Sequence, residues 1–168
     1  EALVQQCLEQ DEKHAAAQLM LAAAGLRDDG SNAVASADYA RSAWSIFDEL
    51  GDRRGAALAG NLLARSLLAM GRLDAASRMQ EQLVPAQEDS GMTWCLCEAY
   101  WLQSCIADRQ HDSVEVWRIL QKTAKIAERE GYIAVAHDVY LVLQRLDAER
   151  AAAMAEQLVV RQRQRSPS

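Results

Sequence analysis

Cysteine and histidine are the residues of this chain that could bind a metal, form a disulfide or serve as nucleophile and base. The 168-residue sequence contains Cys7, Cys95, Cys97, Cys105, His14, His111 and His137. On a helix, Cys95 and Cys97 would point to different faces, and Cys97 and Cys105 would lie two turns apart. None of these spacings is typical of a zinc site or of a disulfide framework. We therefore expect buried, reduced thiols, no metal site and no cofactor.

Motifs that would indicate an enzyme are missing from the sequence. There is no P-loop, no glycine-rich dinucleotide fingerprint, no His-Glu-x-x-His pair and no nucleophile elbow. An all-α metal enzyme would need acids and histidines in a Glu-x-x-His pattern, which the chain also lacks. We therefore predict no catalytic residues and a protein that is not an enzyme.

Charge and hydropathy narrow the range of partners. The net charge of −6 argues against nucleic-acid binding, even though three arginines near the C-terminus alternate with glutamine. No stretch reaches the roughly 18 apolar residues of a membrane helix, and no secretory signal opens the chain at Glu1. We expect a cytoplasmic fragment of a longer polypeptide that binds neither nucleic acid nor membrane.

A 40-residue period sets the positions of the helices that must carry any binding residues. Gly51, Gly91 and Gly131 stand 40 residues apart, and each follows an acidic segment that is typical of a helix end. Fixed self-similarity of this length indicates a repeat array, which presents an extended surface rather than a catalytic pocket. A left-handed glycine at each junction would let one helix stop before the next begins.

Each repeat reads as two helices joined by a short turn. Apolar residues recur at three- and four-residue intervals, as in an amphipathic helix, and connections this short make neighbouring helices antiparallel. Within the repeats we place turns at Gly71, at residues 108–112 and near Leu146-Asp147, and we expect Pro85 to end or kink its helix. The predicted repeats span residues 11–50, 51–90, 91–130 and 131–165, after the end of an earlier helix at 1–10 and before a linker at 166–168.

Residues 63–76 are similar to a known repeat family. Leu63-Ala64, Leu67, Gly71-Arg72-Leu73-Asp74 and Ala75-Ala76 resemble the tetratricopeptide repeat (TPR). That family's usual period is 34 residues, and its repeats end in a proline that is missing here. The longer period of 40 and the Glu-Leu-Gly-Asp-Arg-Arg junction at residues 49–54 resemble the long-repeat variants of bacterial multidomain regulators. The resemblance implies an all-α fold, a right-handed superhelix of about four antiparallel helical hairpins. A HEAT-like array is the structural alternative.

The same resemblance implies a non-enzymatic module that binds a peptide, a protein or a small effector. The module would be the sensor or regulatory part of a larger bacterial signalling protein, for example a diguanylate cyclase or a transcriptional regulator. The alternative is a scaffold without a ligand, which would form a homodimer through the helix at residues 148–165, where Met154 and Leu158 lie on one stripe.

In TPR arrays the first helix of each hairpin lines the binding groove. Asn61 and Arg65 would then hold a peptide backbone and a carboxylate, and Trp101 would be an aromatic anchor, unless it packs between hairpins instead. The register of this resemblance assigns the groove to Leu58, Asn61, Arg65, Leu68, Glu98, Trp101, Cys105, Arg109, Asp138, Leu141 and Arg145.

Overall fold

The computed structural model of the chain describes residues 12–26 and 32–165, with side chains described up to residue 149. The described residues form helices and no strands. The helices are α1 (Lys13–Gly25), α2 (Ala33–Glu49), α3 (Arg53–Ala69), α4 (Leu73–Ser90), α5 (Thr93–Arg109), α6 (Ser113–Glu130) and α7 (Ile133–Arg165). The all-α prediction is therefore confirmed for this part of the chain. The predictions for residues 1–10, Cys7 and 166–168, and those for the side chains of Met154 and Leu158, lie outside what is described.

One type of turn recurs between the helices from α2 onward. A residue with positive φ stands at every twentieth position: Gly51 (69°), Gly71 (72°), Gly91 (67°), His111 (60°) and Gly131 (74°). After each of them, the next backbone N–H donates to a carbonyl five residues earlier, at 2.7–3.3 Å. This is the Schellman pattern, in which a left-handed residue lets the last carbonyls of a helix find donors. The predicted left-handed role of Gly51, Gly91 and Gly131 is confirmed, and His111 fills the same role without being glycine.

Side-chain caps begin three of the helices. Asn32, Asp52 and Asp112 accept hydrogen bonds from the backbone N–H groups of Ala35 (3.3 Å), Gly55 (2.9 Å) and Glu115 (3.0 Å). Each cap satisfies a donor that has no partner within its own helix. The bond from the Gly55 N–H is the main cause that lowers the pKa of Asp52, and the contact with His14 lowers it further.

Helix α3 lies at the centre of the packing. It packs against α1, α2, α4 and α5, whereas α7 packs mainly against α6. Ala64 and Ala76, two small residues of the segment that resembles the TPR, are 1% and 0% exposed. Leu63, Leu67 and Leu83 are buried in the same cluster. Small side chains let the helices approach, and leucines fill the space between them.

Pro85 does not end its helix, which was one of the two outcomes expected for it. Helix α4 continues through Pro85 to Ser90. Pro85 lacks an N–H for the carbonyl of Glu81, but both residues are exposed, so solvent can satisfy that carbonyl. The buried side chains of Leu83 and Gln87 hold the helix on either side of the proline.

The turn predicted near Leu146-Asp147 is also wrong. Helix α7 runs without a break for 33 residues, from Ile133 to Arg165. Its sequence contains neither glycine nor proline, so no residue favours the left-handed conformation that ends the other helices. An ion pair between Arg145 Nε and Glu149 Oε1 (3.8 Å) spans the expected turn. Residues 131–165 therefore form one helix and not a hairpin.

No helix in the described part of the chain combines the length and apolar character required to cross a membrane.

Candidate functional site

Three side chains of α5 form one stripe toward α7. Trp94, Glu98 and Trp101 follow a spacing of four and then three residues, which places them on one face of the helix. The tryptophans are 54% and 39% exposed, although their large apolar rings favour burial. This face of α5 therefore presents aromatic surface to solvent.

The stripe forms one wall of a pocket between α5 and α7. Val135, Asp138 and Val139 of α7 form the opposite wall, and Cys97 and the buried Thr123 of α6 complete the lining of a cavity of about 290 Å³. Helices α5 and α7 make much less backbone contact than α3 and α5 do. The looser packing of α5 against α7 leaves space for the pocket. A space of this size fits a side chain or a small molecule.

The Trp94 ring is held in place by aromatic packing and by a hydrogen bond behind it. Tyr132 contacts it edge to face, with ring centroids 5.2 Å apart and planes at 88°. The Tyr132 hydroxyl is in turn hydrogen-bonded to Thr93 Oγ1 at 2.9 Å. An anchored ring loses little conformational freedom when a ligand contacts it.

Acidic groups lie on both walls of the pocket. Glu98 Oε1 lies 3.4 Å from Arg65 Nη1, and Glu98 Oε2 lies 3.5 Å from the Asn61 amide nitrogen. Asp138 is more open, with a side chain that is 73% exposed and an Oδ1 that lies 3.4 Å from His137 Nδ1. The residues that line the pocket include no lysine or arginine.

Asn61 lies in the core, which corrects the expectation that its amide faces a groove. The residue is 0% exposed. Its Nδ2 donates to the Cys95 carbonyl oxygen at 2.8 Å, and its Oδ1 accepts from Gln87 Nε2 at 3.1 Å. Helix α5 covers α3 at Asn61, whereas Leu58 and Arg65 on the same predicted face stay partly exposed. Asn61 therefore links three helices and is not available to a peptide.

The other predicted groove residues are dispersed. Leu68 is buried, which again corrects a predicted groove position, and Leu58 and Cys105 are partly buried. Arg109 Nη1 donates to the Leu68 carbonyl oxygen at 2.5 Å, near the C-terminal end of α3, where a cation is favourable. Arg145 pairs with Glu149, and Leu141 is 53% exposed.

The structure thus brings together three of the predicted residues, Glu98, Trp101 and Asp138, at one pocket. It adds Trp94, which the sequence reasoning did not include. The spacing of Trp94 from Glu98 and Trp101 carries this signal, because the three residues share one helix face. Arg65 contributes indirectly, since it pairs with Glu98.

The cysteine beside the pocket is not an activated nucleophile. Burial raises the pKa of the Cys97 thiol to about 11, so it stays protonated at neutral pH. Burial also raises the pKa of Cys95 and of Cys105, and all three thiols are free. In the described part of the chain, no group of three or more histidine, cysteine, aspartate or glutamate residues is placed to hold a metal ion.

A larger cavity of about 410 Å³ lies near the N-terminal end of α3. It is lined by turn residues such as Gly51 and Asp52 and by Trp44 and Phe47. Trp44 is partly buried and Phe47 is 1% exposed, so this cavity offers less open aromatic surface than the pocket between α5 and α7.

Comparisons with protein-family models, with curated proteins and with solved structures found no match for this chain.

Proposed function

We propose that this chain is a non-enzymatic module that binds a peptide or a segment of a partner protein along α5 and α7. The observation that carries the proposal is the pocket between these helices, where Trp94 and Trp101 keep large exposed areas. Exposed aromatic side chains beside a concave apolar site are typical of interface anchors. Leu141, which is 53% exposed, lies about one turn after Asp138 on α7 and offers a further exposed apolar side chain.

The proposal includes a TPR-like architecture. In it, α1–α2, α3–α4 and α5–α6 are helical hairpins of a right-handed superhelix, and the first half of α7 takes the place of the first helix in a fourth repeat. The contacts of α3 with both α1 and α5 support this arrangement, because first helices of successive repeats are then neighbours. The turns at every twentieth position support it as well.

We further propose that the module acts as the sensor or regulatory part of a larger cytoplasmic signalling protein. Helix α7 supports this idea, because it provides one wall of the pocket and continues unbroken to Arg165. A ligand that changes the distance between α5 and α7 would tilt α7 and so move its far end. The three free thiols suit a reducing compartment.

Selection from a displayed library of linear peptides tests the binding function. The wild-type chain is compared with Trp101→Ala and Leu141→Ala, which remove exposed apolar surface at the proposed site. Val114→Ala is the matched control, since Val114 is 67% exposed on α6 and does not line the pocket. Circular dichroism verifies that each variant keeps its helices.

We expect peptides that bind the wild type and Val114→Ala but bind Trp101→Ala at least about tenfold more weakly, as for an interface anchor. Equal binding to Trp101→Ala and the wild type would place the binding surface elsewhere. A selection without any enriched peptide would contradict peptide binding itself.

A further inference from the structure

We propose that the pocket between α5 and α7 recognises a cationic side chain, specifically the guanidinium of an arginine in a peptide ligand. This inference rests on the proposed binding function and adds the chemistry of the ligand. It starts from the lining of the pocket, which combines two partly exposed tryptophans with a carboxylate on each wall. Tryptophan is the aromatic residue that attracts a cation most strongly.

The charge around the pocket favours a positive group. Glu98 and Asp138 are its charged lining residues, and no lysine or arginine is among them. Arg65 of α3 pairs with Glu98, which leaves Asp138 as the more open carboxylate, 73% exposed beside the exposed His137. The chain as a whole carries a net charge of −6, which also attracts a basic ligand.

The shape of the pocket favours arginine over other cations. A guanidinium is flat, so it can stack on an indole and still direct its N–H groups sideways to a carboxylate. The apolar lining from Val135 and Val139 suits the aliphatic part of the same side chain. At about 290 Å³, the cavity matches one long side chain rather than a folded element.

Trp94 is prepared for such a contact. Its ring is fixed edge to face by Tyr132, and it lies one helical turn before Glu98 on the same stripe. A cation that enters between α5 and α7 therefore finds its aromatic and acidic partners in place. This arrangement reduces the entropy that binding would otherwise cost.

The test uses three acetylated and amidated alanine-based pentapeptides with arginine, lysine or citrulline at the centre. Citrulline has nearly the shape of arginine but no charge. Nitrogen-15 NMR follows the indole N–H signals of the four tryptophans, which Trp→Phe variants assign. We expect the arginine peptide to shift the signals of Trp94 and Trp101, and to leave those of Trp44 and Trp117 in place.

We expect the citrulline peptide to bind about tenfold more weakly than the arginine peptide, since it loses both the cation–π contact and the ion pair. Asp138→Asn should weaken the binding of the arginine peptide about threefold, as for the loss of an exposed charge pair. Asp38→Asn is the matched control, because the Asp38 side chain on α2 is 68% exposed, close to the 73% of Asp138. We expect this variant to bind the arginine peptide as the wild type does.

Equal affinity for the arginine and citrulline peptides, tighter binding of the lysine peptide, or shifts confined to Trp44 and Trp117 would overturn the inference. The outcome also separates it from the proposed function. Library peptides that depend on Trp101 but share no arginine would sustain the function and remove the arginine pocket. Arginine-specific shifts, together with library peptides that bind Trp101→Ala as well as the wild type, would sustain the arginine pocket and place the proposed peptide-binding surface elsewhere.

Discussion

The predicted repeats at residues 51–90 and 91–130 surround their first helices in different ways. Helix α3 of the former has α1 on one side and α5 on the other, whereas α5 has α3 on one side and the pocket on the other. Equivalent positions 40 residues apart therefore differ in exposure. Asn61 is 0% exposed, and Trp101 is 39% exposed.

The second helices of the two repeats also differ at equivalent positions, in the polarity of the residues that they bury. Helix α4 buries Gln80 and Gln87 at positions where α6 buries Leu120 and Ala127. Buried amides need hydrogen-bond partners, and the bonds among Gln87, Asn61 and Cys95 supply them in part. The period therefore determines where a residue lies along the fold, while the neighbouring helices determine whether it is buried in the core or exposed to solvent.

The largest change in stability is expected at Asn61, the buried position of the first repeat in this comparison. Asn61→Ala removes the partner of Gln87 Nε2 and the second donor to the Cys95 carbonyl, which also accepts a hydrogen bond within α5, and both groups stay buried. We expect the free energy of unfolding to fall by about 2–3 kcal/mol, as for buried polar groups that lose their partners. Urea denaturation followed by circular dichroism measures the change.

Trp101→Phe is the companion variant at the equivalent position. It keeps an aromatic ring at a site that is 39% exposed, so we expect a loss below about 1 kcal/mol. If the two variants lost the same stability, the contrast between a buried and a solvent-exposed position would not hold.

A smaller effect, with the opposite sign, is expected at Gln80. Its Oε1 and Nε2 are buried and make no hydrogen bond to another described residue. Gln80→Leu places there the residue that α6 has at the equivalent position, Leu120, and should raise the free energy of unfolding by about 1–2 kcal/mol. Chemical denaturation of both proteins measures the gain.

Gln82→Leu is the control for this substitution, because Gln82 is exposed on the same helix. We expect it to change stability by less than about 0.5 kcal/mol. A loss of stability in Gln80→Leu would show that the Gln80 amide stabilises the fold, and would contradict the idea that leucine suits both repeats.

The smallest effects concern the turns inside the two repeats, Gly71 and His111. Both residues have positive φ, a conformation that disfavours a side chain. Gly71→Ala should lower the free energy of unfolding by about 1 kcal/mol. His111→Gly should raise it by about 0.5 kcal/mol, because glycine relieves the backbone strain but also makes the unfolded chain more flexible. Thermal denaturation measures both shifts. A destabilised His111→Gly variant would mean that the imidazole makes a favourable contact.

The local features of the fold could be predicted from the sequence. Glycine tolerates a left-handed backbone, so the spacing of Gly51, Gly91 and Gly131 located three of the turns. The turn expected at Leu146-Asp147 does not form, because polar residues alone do not stop a helix. Residues 133–165 contain neither a glycine nor a proline that would end it. Pro85 does not end α4 for a related reason, since buried residues on both sides of it hold the helix.

The candidate site was less predictable because exposure depends on more than one helix. The sequence placed Asn61 and Trp101 on the same face of successive first helices, but it did not show that α5 covers Asn61 or that α7 stands away from Trp101. Trp94 was missed although it shares a stripe with Trp101. Its ring is held at the pocket by the contact with Tyr132, a residue 38 positions later in the chain.

The turns that recur at every twentieth position affect the rate at which the chain folds. From residue 51 to residue 131, each helix reverses onto the one before it through a turn of the same design, and most packing joins helices that are consecutive in sequence. Contacts of this kind give a low contact order, so no step has to close a long loop before it gains packing. The chain is therefore expected to fold quickly, by adding one helix at a time to a neighbour that is already formed.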